Sequence, residues 1–133
     1  MRRRELDRKA RLRAVADDLH RAEQGRLAPI ARELAQARED AARIAETLDG
    51  DEVSTRLFSD IHFAYLARVR RRVDALEREL AAQMANVRQA KVRAERLGEH
   101  EKSAAKMHRA KQAERRIEVE AEAIVVRRAA RPR

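Results

Sequence analysis

Residues 66–97, which read LARVRRRVDALERELAAQMANVRQAKVRAERL, decide the fold of this chain. Ten positions recur there at alternating intervals of three and four residues: Leu66, Val69, Val73, Leu76, Leu80, Gln83, Val87, Ala90, Ala94 and Leu97. This is the heptad pattern of a helix that packs along another helix. Nine of the ten are apolar or small. Gln83 is the polar exception, and a single polar residue in such a seam usually fixes the register of the two helices.

A second heptad run precedes the first one in the chain. Its members, again three and four residues apart, are Leu27, Ile30, Leu34, Ala37, Ala41, Ile44 and Leu48. The break between the two runs contains Gly50, which suits a left-handed residue just past a helix end, and Ser54, which suits an N-cap. Two seams joined by a short turn predict a pair of helices that run in opposite directions.

The predicted fold is therefore all-α, an antiparallel two-helix coiled-coil hairpin in a single domain. Its parts are a helix at about 3–48, a turn at about 49–53, a longer C-terminal helix at about 54–128 and a basic tail at 129–133. If the turn is centred between residues 51 and 52, Leu34 faces Val69 and Ala37 faces Leu66. The same register leaves residues 103–128 without a partner arm, and the heptad loses phase just after Leu97.

Pro29 interrupts the first heptad run. It removes one backbone donor, and its ring presses on the carbonyl of Gly25. Because glycine leaves room there, we expect a kinked continuous helix rather than a true break.

Composition argues against an enzyme. Ala, Glu, Lys, Leu and Arg make up 85 of the 133 residues, a bias typical of long helices. The chain has no cysteine and no glycine-rich phosphate loop, and its four histidines form no metal-binding motif. We expect no catalytic residue, metal, cofactor or small-molecule substrate. No apolar run approaches the length of a membrane span, so the sequence predicts a soluble intracellular protein.

The net charge of +9 lies at the two ends of the chain. Residues 1–13 carry a net +5 and residues 125–133 a net +4. Such ends attract an acidic cavity, a membrane surface or nucleic acid, and they can also be simple solvated helix ends. Nucleic acid is the less expected partner, because single-strand binders use aromatic platforms and this chain has three aromatic residues in one cluster.

That aromatic cluster follows the predicted turn. Phe58, Ile61, Phe63 and Tyr65 point in more directions than a single seam can bury. They either wrap the turn and cap the hairpin or form an exposed contact for a partner, since aromatic residues concentrate in interface hot spots.

The chain resembles the FliJ family of flagellar export proteins and the similar YscO group of virulence secretion systems. The resemblance rests on the basic N-terminal arm, the break near residue 50, the segment Phe58 to Leu66, the stretch Arg93 to Leu97, the acidic helix Glu114 to Glu122 and the basic end after Arg127. It implies an antiparallel coiled coil without catalytic residues. Such proteins lie in the cytoplasm at the membrane export apparatus, insert into the hexameric export ATPase, and connect it to the export gate. Some also escort export chaperones.

Two sets of contact residues follow from the resemblance and the patterns above. The export-gate contacts are expected at Phe58, Ile61 and Tyr65. The ATPase contacts are expected at Arg2, Arg3, Arg4, Ile117, Ile124, Arg127, Arg128 and Arg131. The alternatives are a basic helical nucleic-acid-binding protein and a structural coiled coil that dimerises.

Overall fold

In a computed structural model, residues 3–50 and 57–131 are described, and nearly all of them are helical. Helix α1 spans Arg3–Gly25, α2 spans Leu27–Asp49 and α3 spans Ser59–Ala130. The described ranges contain no strand. The predicted all-α class is confirmed, and two helical arms in this order are consistent with a helical hairpin.

Helices α1 and α2 are two parts of one bent arm. Arg26, which separates them, keeps right-handed helical angles of φ −79° and ψ −15°. Its N–H donates to the carbonyl of Glu23 at 3.2 Å, a bond to the third preceding residue instead of the fourth. Pro29 has no N–H to offer the carbonyl of Gly25. The bend therefore lies just before Pro29, and the expected kink is confirmed.

The predicted conformation of Gly50 is wrong. Its angles are φ −77° and ψ 151°, so it leaves α2 in an extended conformation. Its N–H still closes the helix end by donating to the carbonyl of Thr47 at 3.2 Å. The predicted N-cap, Ser54, and the predicted start of the second helix lie outside the described residues. The long helix α3 begins at Ser59.

The chain forms two compact units: a central unit, Leu19–Lys91, and a terminal unit made of Met1–Asp18 and Val92–Arg133. In the central unit, every predicted heptad position from residue 27 to 48 and from 66 to 90 is buried or half-buried. Its core is a cluster of Leu34, Ala37 and Leu76, against which Val73 and Leu80 pack. The heptad pattern thus located the covered faces of both arms.

The two arms of the central unit run antiparallel. Gln83 of α3 bonds Glu23, while Arg72 of α3 pairs with Glu33 at 3.1 Å, so partner numbers fall as numbers in the first arm rise. Arg38 and Glu77 form a further ion pair at 3.0 Å. Side-chain pairs on both borders of the core therefore hold the arms together.

The predicted register is wrong by about one heptad. Leu34 and Ala37 share their cluster with Leu76 and Val73, and these residues lie seven positions beyond the expected Val69 and Leu66. The predicted register requires a turn centred between residues 51 and 52. Because α2 ends at Asp49 and α3 begins at Ser59, the centre lies closer to residue 54.

In the terminal unit, small side chains fill the contact between α1 and α3. Ala16, Ala94 and Ala104 are buried. Arg13 lies over Gly98 and its Nη1 forms an ion pair with Glu101 at 3.1 Å. Burial continues on α3 through His108, while every residue from 109 to 131 is exposed. The uncovered part of α3 therefore begins at residue 109, and the predicted start at 103 is wrong.

None of the described helices combines the length and apolar character needed to cross a bilayer.

Candidate interaction surfaces

Residues 109–131, which are the uncovered end of α3 and the residue after it, are here called the distal segment and carry large apolar side chains in water. Ile117, Val119, Ile124, Val125 and Val126 are each 51 to 66% exposed. Isolated exposed apolar residues are ordinary, but five within ten residues of one helix form a patch that indicates an interaction site.

These five side chains lie on more than one side of the helix instead of forming one stripe. Each residue advances about 100° around an α-helix. With Ile117 at 0°, Val125 lies at about 80°, Val126 at about 180°, Val119 at about 200° and Ile124 at about 340°. They spread over about 220° of the helix circumference, which is wider than the single apolar stripe that a helix buries against one neighbour. One neighbouring helix would leave Val119 and Val126, or Ile117 and Ile124, in solvent.

Charged residues flank and interrupt this apolar part. Arg115 and Arg116 precede it, and Arg127, Arg128 and Arg131 follow it. Glu118, Glu120 and Glu122 alternate with its apolar residues. Arg127 and Arg128 occupy the last turn of α3, where positive charge stabilises the helix dipole.

The structure gives the following positions for the expected ATPase contacts. Five of them lie in the distal segment and are exposed: Ile117, Ile124, Arg127, Arg128 and Arg131. Arg3 and Arg4 are exposed in the first turn of α1. Arg2 lies outside the described residues. Their contact with an ATPase stays a prediction.

A second apolar surface lies at the start of α3. Ile61 and Tyr65, four residues apart, share one side of α3, and Phe58 directly precedes the helix. All three are exposed, whereas Leu66 is buried. Leu57 and Phe63 are exposed as well. The expectation that one seam cannot cover this cluster is confirmed, and its role as a gate contact stays a prediction.

Next to this surface, α2 and α3 of the central unit enclose an open groove of about 770 Å³. Its apolar lining includes Ile44, Ile61 and Tyr65, and Arg43 and Arg68 bring positive charge to it. Arg43 is already ion-paired with Asp40. The groove can receive an apolar side chain of a partner, and Arg68 can pair with an acidic one. Sequence reasoning did not find it, because it depends on which residues of α2 lie beside Tyr65.

Residues 3–50 and 57–131 contain no cluster of side chains that could hold a metal ion, since no three His, Asp or Glu side chains there come close enough together.

The sequence matches no protein-family model, and comparisons with curated proteins and with solved structures gave no match either.

Proposed function

We propose that this chain is a non-enzymatic stalk and adaptor of a bacterial type III export apparatus of the flagellar kind. The distal segment inserts into the hexameric export ATPase, and the surface around Phe58, Ile61 and Tyr65 contacts the membrane export gate. In this proposal the protein works in the cytoplasm, peripheral to the membrane. The resemblance to the FliJ family supports the assignment, and the exposed surfaces support the division of roles.

The proposal includes an antiparallel coiled coil. Covered heptad positions on both arms of the central unit, and ion pairs on either border of the core, are the features expected of such packing. A rigid pair of helices is suited to transmit force or position between two partners.

The observation that carries the proposal is the distribution of apolar side chains in the distal segment. A cavity inside a ring of subunits contacts an inserted helix from all directions, so it can cover Ile117 and Val126 together. The competing explanation, pairing of two distal segments in a dimer, covers one side of each helix. The flanking arginines would add electrostatic attraction to an acidic rim, and added salt would weaken it.

The experiment measures ATP hydrolysis by the purified export ATPase of the same organism. A variant of the full chain with Ile117→Gln, Ile124→Gln and Val125→Gln should lose the stimulation that the unaltered chain gives. The matched control is Leu12→Gln, Val15→Gln and Leu19→Gln, three comparably exposed apolar residues of α1. This control should stimulate normally.

Equal stimulation by the distal variant would contradict the proposal. If the unaltered chain is instead a dimer and the distal variant is a monomer, the dimerising alternative is correct. Sedimentation equilibrium of both variants distinguishes these outcomes.

A further inference from the structure

A row of four cations lies on one side of α3 in the terminal unit. Lys102, Lys106, Arg109 and Arg116 follow each other at intervals of four, three and seven residues. At about 100° per residue they fall within an arc of about 80°, on the side of the helix opposite the buried Ala104. The row extends for about 21 Å at a rise of ~1.5 Å per residue. We call it the cationic face.

Lys106 and Arg109, the middle of this row, have no acidic residue three or four positions away, whereas Glu99 precedes Lys102 by three residues and Glu120 follows Arg116 by four. All four cations are exposed, and none takes part in an ion pair within the described part of the chain. Lys106 has Lys102 four residues before it and Arg109 three residues after it. Like charges at these spacings repel each other and destabilise a helix. The central unit differs, because its Arg38 and Arg72 are matched by Glu77 and Glu33.

The rest of the terminal unit strengthens the positive potential. This unit contains 19 Lys and Arg against 11 Asp and Glu, so it carries +8 of the chain's net +9. Such a field concentrates anions and accelerates their association. A repulsive row of cations in a strongly positive unit therefore indicates an anionic ligand.

The surroundings of the row identify the kind of anion. The side of α3 between Arg109 and Arg116 presents only Ala113, so the row offers no aromatic ring for stacking single-stranded bases. It also lacks the large apolar anchor that protein hot spots need. Contacts to a phosphate backbone require neither feature, only Lys and Arg.

We propose that the cationic face binds the backbone phosphates of double-stranded nucleic acid without sequence preference. This inference goes beyond the proposed export function and does not depend on it. Backbone-only binding at physiological salt has dissociation constants of about 10⁻⁴ to 10⁻⁶ M, so we expect affinity in that range.

The test is fluorescence anisotropy of a labelled random-sequence DNA duplex titrated with the full chain at several salt concentrations. If the cationic face makes four phosphate contacts, a plot of the logarithm of the binding constant against the logarithm of the salt concentration should have a slope of about −4. The variant Lys102→Gln, Lys106→Gln, Arg109→Gln and Arg116→Gln should bind at least about tenfold more weakly at low salt and lose most of this slope.

The matched control neutralises four exposed cations of the central unit, with Arg68→Gln, Arg70→Gln, Arg71→Gln and Arg78→Gln. Both variants lower the net charge from +9 by the same four charges, so the control should keep most of the affinity and slope. An equal loss in the control would show binding by overall charge and overturn the proposal. Tighter binding of a single strand, or equally tight binding of polyglutamate, would overturn it as well.

A separate readout keeps the two proposals apart. Because Arg109 and Arg116 belong to the distal segment, this comparison uses Lys102→Gln with Lys106→Gln, which lie before it. This double variant should bind the duplex more weakly and still stimulate the export ATPase, and the distal apolar variant should still bind the duplex. Loss of duplex binding alone then bears on the cationic face, and loss of ATPase stimulation alone bears on the export function.

Discussion

Gln83 is the residue through which the bent arm is fixed to α3. Its side chain is 8% exposed, and its Nε2 donates to the backbone carbonyl of Glu23 at 2.8 Å and to the Oε2 of Glu23 at 2.6 Å. Glu23 lies just before the bend, and its carbonyl also accepts from the N–H of Arg26. Replacing Gln83 by Ala removes both donors from a carbonyl and a carboxylate that are partly shielded from water.

The size of the effect follows from these two bonds. A hydrogen bond to a charged group contributes about 1.5–3 kcal/mol and a neutral one about 0.5–1.5 kcal/mol. Because one nitrogen makes both bonds, their contributions are not additive, and we expect Gln83→Ala to lower the free energy of unfolding by about 2–3 kcal/mol. At about 4 °C per kcal/mol for a chain of this size, the melting temperature should fall by about 8–12 °C.

Thermal and urea unfolding, followed by far-UV circular dichroism, measure this change. The control is Gln89→Ala, which truncates an exposed glutamine of the same helix and should change stability by less than about 0.5 kcal/mol. Gln83→Glu, which sets a second carboxylate beside that of Glu23, should destabilise at neutral pH as well. The reasoning is refuted if Gln83→Ala and Gln89→Ala are equally stable.

Three further predictions concern the core, a helix interior and the surface near the turn. Leu76→Ala should lower the free energy of unfolding, measured in urea, by about 2–5 kcal/mol, because Leu76 is 2% exposed. Its control, Leu57→Ala, removes a side chain that is 75% exposed and should lower it by less than about 0.5 kcal/mol. Gly98→Ala should stabilise the chain by about 0.5–1 kcal/mol in the same assay, because alanine favours the helix and an added Cβ has room: its nearest neighbour is Arg13 Nε at 3.6 Å. Destabilisation would show that the contact at Gly98 is tighter than this. Replacing Phe58, Ile61 and Tyr65 together by Ala should weaken binding to the gate protein, measured by calorimetry, and leave the cooperative melt unchanged; loss of that melt would place them in the core.

The covered faces of the central unit could be predicted from sequence, because burial there follows heptad spacing. Leu34 and Leu76 stand at predicted positions and form the core. Their mutual alignment could not be predicted, since one heptad pattern fits another equally well at every shift of seven residues. The break in the sequence alone did not show that α3 begins only at Ser59.

Beyond Leu97 the pattern could not be recognised at all. Burial on α3 continues at Glu101, Ala104 and His108, which keep the spacing of four and three residues but are polar or small. Arg13 supplies the missing counterpart by pairing with Glu101. Contacts made by charged and small side chains leave no hydrophobic period in a sequence, so the sequence pattern places the start of the uncovered segment before residue 109.

The exposed surfaces were predictable to different degrees. The sequence shows that the cluster at Phe58 has more apolar side chains than one seam can cover, and it indicates the distal apolar residues as part of an arm without a partner. The groove beside Tyr65 could not be predicted, because Ile44 and Arg43 join it only in the observed register.

Solvent accessibility of the distal segment in the presence of the export ATPase tests the central claim most directly. The chain has no cysteine, so Val119→Cys, Val125→Cys and Leu57→Cys each introduce a single thiol at an exposed position. Val119 and Val125 lie about 120° apart around α3. If the segment is enclosed by the ATPase ring, maleimide should label both distal thiols quickly in the free protein and slowly in the complex, while the thiol at position 57 stays reactive. Undiminished labelling of either distal thiol in the complex would contradict insertion.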